Sequence, residues 1–217
     1  MKLAALCLSA LALLTAPALA KGECDPGEIV VKFSHVVAAV GHPKGDAANF
    51  LARRVNEEMN GRMCMEVFAN GSLVSDEAVM GALLSGQVQL AAPSLAKLEP
   101  YTRKYRIFDL PFLFQDLSAV NRFFVSNGGK QLLGAMRGSG FQGLGYWASG
   151  LKQFSAMRPL VLPDDARNMT FRIQPSAVAA AMIDALDAKA KVTPFESVFH
   201  ALQVGDVDGQ ENTWSNI

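Results

Sequence analysis

The sequence predicts an α/β fold in which short parallel strands alternate with helices. Apolar, β-rich runs at 28–35, 63–68 and 88–92 are separated by two helical patterns, an order typical of parallel α/β units. The 217 residues are 50% hydrophobic, enough for one or two compact domains. The 20 basic and 20 acidic side chains balance, which excludes a non-specific nucleic-acid binder and a highly charged disordered chain.

The first 20 residues have the pattern of a secretory signal peptide. Lys2 supplies a positive start, and residues 3–16 form an uncharged apolar run that is too short to span a bilayer. Pro17 ends this run, and Ala18-Leu19-Ala20 matches a cleavage site. We therefore expect export with cleavage after Ala20. A membrane anchor is the alternative, and the charged residues 21–23 directly after the run argue against it.

Cys24 and Cys64 remain after the expected cleavage. In an oxidising compartment they can pair as a disulfide. The sequence is equally compatible with two separate thiols, since Cys24 stands in a Gly/Pro-rich lead-in.

Two helices are predicted between the first three strands. The first runs from Asp46 and ends at Gly61, and the loop 41–45 precedes it. It has four apolar side chains at a spacing of about four residues, namely Ala47, Leu51, Val55 and Met59. The second helix covers 76–85 and is closed by Gly86.

The remaining elements continue the alternation. Residues 107–114 place three phenylalanines around a proline and are interpreted as a buried core plug. We predict helices at 117–126, 129–136, 176–186 and 196–203. We predict strands at 141–147, 152–156, 170–173 and 191–192, followed by a turn-rich end. A domain change is placed near Ser149-Gly150.

Motifs for catalysis, cofactors and metals are missing from the sequence. Residues 138–143 fit G-x-G-x-x-G, but they follow a predicted helix and open a strand, the reverse of a dinucleotide site. His35, His42 and His200 have no metal-site spacing. We therefore predict neither an enzyme nor a cofactor or metal site.

Polar side chains at strand ends point instead to ligand binding. Arg172 closes a predicted strand just before Pro175 and a helix that starts at Ser176. In open α/β sheets ligands collect beyond the carboxyl ends of strands, and arginine grips a carboxylate through two hydrogen bonds. A surface salt bridge is the alternative. Lys44 follows the first strand in a similar way.

Four segments together resemble a known family. They are 31–37 (VKFSHVV), 42–45 (HPKG), 109–114 (DLPFLF) and 208–216 (DGQENTWSN). From about Ile29 to its last residue the chain resembles the solute-binding protein of a tripartite ATP-independent periplasmic (TRAP) transporter. The subgroup it resembles binds four-carbon dicarboxylates.

The resemblance implies a periplasmic-binding-protein-like fold with two α/β lobes, a hinge and an interlobe cleft. The lobes are expected at 21–149 and 150–217. Because such proteins continue beyond Ile217, the second lobe is expected to be incomplete and the chain a fragment that lacks the C-terminal part. Asn168 and Asp187 replace glycines of the family, and asparagine tolerates the positive φ better.

The resemblance also implies the ligand-binding residues. Arg172 matches the arginine that forms the main salt bridge to a substrate carboxylate. The other expected ligand-binding residues are Lys152, Asn212, Lys44, His35, Ser94 and Trp214, the last as a cap. A dianion needs two cationic anchors, so Arg172 and Lys44 are expected to hold one carboxylate each as the lobes close.

The expected function is therefore capture of a small organic acid in the periplasm by a monomer, which delivers it to integral-membrane TRAP permease subunits. Which dicarboxylate is bound stays open, as does binding of another carboxylate. One alternative is presentation of the ligand to a membrane sensor kinase. A further alternative is a secreted hydrolase that uses Ser94 or Ser176 with a histidine, although no nucleophile-elbow motif is present.

Overall fold

The computed structural model describes residues 24–217, so the expected signal peptide lies outside the described residues. Within 24–217, no helix has the length and apolar character needed to cross a bilayer.

The first sheet confirms the predicted parallel α/β order. It contains β1 (Ile29–Ser34), β2 (Met63–Phe68) and β3 (Leu90–Ala91) in the order β2-β1-β3, with both pairings parallel. Helices α1 (Pro43–Glu58) and α2 (Val79–Ser85) connect the strands. Gly86 ends α2 in the left-handed conformation, as a C-terminal glycine should. We call this sheet, with the chain that follows it up to Leu151, the first lobe.

Helix α1 begins three residues earlier than predicted, so the expected loop at 41–45 is wrong. His42 is its N-cap and accepts a hydrogen bond from the Lys44 N–H, while Pro43 occupies the first helical turn, where a missing N–H costs nothing. A Cβ on Gly45 would lie 2.0 Å from the Ala38 carbonyl oxygen. Only glycine therefore fits where the helix approaches Ala38. In the sequence alone, the same glycine indicates a loop.

The predicted core plug at 107–114 is only partly right. Phe108 and Phe114 stack at 6.1 Å, but Phe112 is 98% exposed and has a φ of 60°. The left-handed backbone after Pro111 turns this ring away from its neighbours. Helices α3 (Leu117–Val125) and α4 (Asn127–Leu133) follow.

The strand predicted at 141–147 does not form among the described residues. Phe141 is buried in the first-lobe core, and the Gly143 N–H donates to the Leu133 carbonyl at 3.1 Å. Phe141 thus packs in the core while Leu144 stays 72% exposed, and the backbone of the segment joins neither sheet.

The second sheet has four strands in the order β4-β7-β5-β6. They are β4 (Lys152–Ala156), β5 (Thr170–Ile173), β6 (Lys189–Val192) and β7 (Gly209–Thr213). Strand β4 is antiparallel to β7, and the other pairings are parallel. Helices α5 (Ala177–Asp184) and α6 (Val198–Gln203) complete this second lobe.

The turn-rich end predicted after the last helix is wrong, because this segment is the central strand β7. All five of its residues are buried, yet its sequence, GQENT, contains no apolar side chain. Prediction from hydrophobic patterns therefore has no signal for it. A buried polar strand in the middle of a sheet needs hydrogen-bonding partners for its side chains.

Cys24 and Cys64 form a disulfide that closes a loop with a sequence separation of 40. Of the two possibilities left open by the sequence, pairing is the one found. The bond ties the segment before β1 to β2.

Asn168 and Asp187 both adopt the left-handed conformation, with φ of 63° and 53°. The Asn168 N–H donates to the Asp187 carbonyl at 2.9 Å, so the two turns support each other before β5 and β6. The side chain of Asp187 has one ionic contact, to Arg167, and both groups are exposed.

Replacing Asp187 with glycine is expected to raise the free energy of unfolding by about 0.5–1 kcal/mol, because glycine relieves the left-handed strain and the exposed ion pair is worth little. Urea unfolding measures the change. The matched control is Ala181→Gly on the exposed face of α5, which should lower the same quantity by about 1 kcal/mol. A destabilised Asp187→Gly variant would contradict this strain argument.

Candidate functional site

Arg172 is a buried cation with unused hydrogen-bonding capacity. Its side chain lies on β5 and is 1% exposed. Its Nε donates to the Thr193 carbonyl at 2.9 Å, but among the described residues Nη1 has no hydrogen-bond partner. Burial lowers the pKa of Arg172, whereas Glu211, Asp76 and Glu196 raise it. The guanidinium still stays charged at neutral pH, because arginine is not deprotonated in proteins.

The strand register places Arg172 on a polar face of the second sheet. Arg172 lies opposite Gln210 in the parallel pair of β5 with β7, so their side chains share a face. Asn212 follows two residues later on the same face, by the alternation of strand side chains. It is 1% exposed, donates to the Gln210 side chain at 3.3 Å and accepts from the Thr213 N–H at 3.0 Å. The structure thus places Arg172 and Asn212 on the same face of the second sheet.

Lys152 points to the opposite face from Arg172. It pairs with Thr213, which shares a face with Glu211. Its Nζ donates to Asp109 Oδ1 at 2.9 Å and lies 3.2 Å from Glu211 Oε2. Burial, the largest single effect, lowers the pKa of Lys152, but the two carboxylates together outweigh it and the pKa is raised. Burial is also the largest effect on Glu211, and it raises the pKa of that carboxyl group despite the nearby Lys152 ammonium group.

Asp109 joins the two lobes through both of its carboxylate oxygens. Oδ1 accepts from Lys152, and Oδ2 accepts from the Ser176 hydroxyl at 2.8 Å. Ser176 in turn caps α5 by accepting from the Ala179 N–H. Both hydrogen-bonding roles of this hydroxyl are therefore occupied by structural partners. Sequence reasoning missed Asp109 because the apolar residues around it predict a buried core segment.

Lys44 lies in the first turn of α1 and reaches the end of β3. Its Nζ donates to the Ala92 carbonyl at 3.0 Å. Burial lowers the pKa of Lys44, and Asp76 raises it. Asp76 is buried and forms an ion pair with Lys97 at 2.8 Å. Asp76 therefore acts electrostatically on both expected anchors, and sequence reasoning did not identify it.

The other expected residues have different degrees of exposure. His35 follows β1 and is 3% exposed; burial and then the charge of Lys44 lower its pKa, so the ring is neutral at pH 7. Ser94 is half-buried, directly before a short 3₁₀ turn at Leu95–Leu98. Trp214 is 71% exposed, and its capping role stays a prediction.

Comparison with known proteins identifies the family. The model for bacterial extracellular solute-binding proteins of family 7 (DctP) matches residues 33–217. The chain is 53% identical over 198 residues to the C4-dicarboxylate-binding periplasmic protein DctP of Vibrio cholerae, covering 91% of this chain and 60% of that protein.

Solved structures give the same result. A TRAP periplasmic solute-binding protein from Pseudomonas aeruginosa with bound L-malate has a TM-score of 0.84 and 45% identity, covering 87% of this chain and 65% of that one. One from Shewanella oneidensis with bound succinate has a TM-score of 0.85 and 46% identity, covering 87% and 62%. These matches support the expected two-lobe α/β architecture. The chain spans about 60% of the length of the Vibrio cholerae relative.

Neutralising Asp109 tests how much its hydrogen bonds between the lobes contribute to stability. Asp109→Asn is expected to lower the free energy of unfolding by about 1–3 kcal/mol, because the half-buried Lys152 loses one of its two carboxylate partners. Chemical denaturation measures the loss. Asp164→Asn, at a site whose ion pair with Arg167 is exposed, should change it by less than about 0.5 kcal/mol. Equal effects of the two substitutions would contradict a specific role for Asp109.

Proposed function

The chain belongs to the family-7 bacterial extracellular solute-binding proteins, and on that premise we propose that it captures a four-carbon dicarboxylate such as malate, succinate or fumarate. Capture takes place in the periplasm, and the integral-membrane subunits of a TRAP transporter receive the ligand. The malate and succinate in the two solved relatives support this substrate class. No chemical step on the substrate is part of this function.

The observation that carries the proposal is the unsatisfied guanidinium of Arg172. A buried charged N–H without an acceptor costs on the order of 1–3 kcal/mol or more, so a ligand that supplies an acceptor is favoured. No carboxylate of the described residues lies within ion-pair distance of Arg172. A ligand carboxylate supplies the missing oxygen atoms and matches the planar geometry of the group.

The second anchor is Lys44 on the first lobe. An ammonium group has three donors, and Ala92 takes one of those of Lys44, which leaves donors for a second carboxylate. With one cation on each lobe, a dicarboxylate bridges the lobes as they close. Closure removes water and lowers the local dielectric, which strengthens both contacts and favours the closed form only when the ligand is present.

The remaining contacts complete the proposed site. Asn212 offers an amide beside Arg172, and His35 and Ser94 line the first-lobe side. Trp214 covers the ligand. Lys152 lies on the opposite face of the sheet from Arg172 and supports the site by tying Asp109 of the first lobe to Glu211 of the second. In this proposal the lobes comprise 21–149 and 150–217, and the protein acts as a monomer.

Arg172→Ala is expected to abolish ligand-induced stabilisation. At one hundred times its dissociation constant, succinate or malate should stabilise the unsubstituted protein by about 2.7 kcal/mol, and the variant by nothing measurable at the same concentration. Thermal unfolding against a panel of mono- and dicarboxylates measures this difference.

The control for that experiment is Arg158→Ala, which removes an arginine of the same lobe whose Nη2 donates to the Asp165 carbonyl on an exposed surface. It should retain the full ligand response. If Arg172→Ala stays folded and keeps its affinity, Arg172 is not the anchor. If no carboxylate stabilises the unsubstituted protein, the proposed function itself is wrong.

Dicarboxylate affinity should fall at alkaline pH as Lys44 loses its charge. Because burial lowers the pKa of Lys44 below the ordinary value of 10.5, the fall begins at a lower pH than an exposed lysine would give. Below the lowered pKa the ammonium is charged and affinity is full, and above it affinity is lost. Titration calorimetry between about pH 7 and pH 10.5 follows the change.

The matched variant is Lys44→Arg, whose guanidinium stays charged throughout this range. Its affinity should be independent of pH where that of the unsubstituted protein falls. The same alkaline loss in both proteins would contradict the assignment of Lys44.

A further inference from the structure

The His42 ring uses both of its nitrogens, one toward each lobe. Nδ1 accepts from the Lys44 N–H at 3.1 Å within the first lobe. Nε2 lies 3.1 Å from the side-chain oxygen Oδ1 of Asn216, which follows β7 in the second lobe. The ring is 9% exposed, so water competes little for these bonds.

The partners determine the proton's position on the ring. Lys44 N–H is a donor, so Nδ1 must be the acceptor, and the neutral ring carries its proton on Nε2. Nε2–H therefore donates to Asn216 Oδ1. This orients the Asn216 amide so that its nitrogen donates to Asn212 Oδ1 at 3.2 Å and to Thr213 Oγ1 at 3.1 Å.

The result is a continuous chain of hydrogen bonds with one direction, from Lys44 through His42 and Asn216 to Asn212. Its two ends are the backbone N–H of Lys44, the residue whose side chain is the first-lobe cation, and the Asn212 amide of the second lobe. The link between His42 and Asn216 crosses between the lobes, so it breaks when the lobes separate. The other bonds lie within one lobe and survive separation.

We propose that His42 is a positioning residue that couples closure of the lobes to the alignment of Lys44 and Asn212. This inference rests on the proposed function, since it gives a role in ligand retention to a side chain that does not itself need to touch the ligand. Closure completes the hydrogen-bond chain, and the completed chain holds the closed form around the ligand. Its loss should therefore raise the dissociation rate of the ligand more than it lowers the association rate.

Substitutions at His42 and Asn216 test the interlobe bond of the ring separately from its helix-capping bond. An asparagine at position 42 places its amide oxygen where Nδ1 stands and keeps the helix cap, but it is too short to reach Asn216. Asn216→Ala breaks the same interlobe bond from the other side. His42→Asn is expected to bind succinate about fivefold more weakly, the effect of one hydrogen bond of ordinary net strength. Asn216→Ala should weaken binding at least as much, because it also removes the bonds to Asn212 and Thr213.

The double variant His42→Asn/Asn216→Ala is expected to be no weaker than Asn216→Ala alone, because His42→Asn then has no interlobe bond left to remove. Calorimetry gives the dissociation constants, and stopped-flow fluorescence gives the rates. His200→Asn, at an exposed position of helix α6, is the matched control and should bind as the unsubstituted protein does.

Three results would overturn the inference. Single variants with unchanged affinity, effects that multiply in the double variant, or a His42 ring protonated on Nδ1 in ¹⁵N spectra each exclude the proposed coupling. An unsubstituted protein that binds no dicarboxylate would instead contradict the proposed function, so the two failures are distinguishable.

Discussion

A charged guanidinium buried inside a small sheet requires oxygen atoms around it, and much of the second lobe is arranged to meet that requirement. Arg172 is almost fully enclosed, and its Nε donates a hydrogen bond to the Thr193 carbonyl. The strand beside it, β7, consists of polar residues that bond to one another instead of packing as an apolar core. Such a strand stabilises a fold poorly, since each buried polar group must be satisfied. A lobe built this way is suited to receive a polar ligand.

The distribution of carboxylates determines which cations stay available to an anion. Asp109 and Glu211 engage Lys152, and Asp76 engages Lys97, so these two lysines are neutralised within the protein. Arg172 and Lys44 lack an ion-pair partner at that range among the described residues, although Asp76 acts on both from farther away. The even charge count of the sequence therefore conceals an uneven local arrangement. Two cations on different lobes can face one dianion.

The sequence predicted the elements that bury an apolar face and missed those governed by polar contacts. Strands β1 and β2 and the position of Arg172 at the end of β5 follow from hydrophobic patterns and turn residues. Strand β7 has no such pattern, and the start of α1 depends on a histidine cap and a glycine in close contact with Ala38. Asp109 and Asp76 could not be recognised from sequence, because their partners are far away along the chain. Local patterns carry no information about such pairs.

Determining a crystal structure of this protein with bound succinate would test the central claim most directly. One carboxylate is expected within hydrogen-bonding distance of Arg172 Nη1, about 3 Å, and the other at a similar distance from Lys44 Nζ. The lobes should be held together by Asp109 and by the His42–Asn216 bond. Succinate bound elsewhere, with the Arg172 guanidinium satisfied by protein oxygens alone, would contradict it.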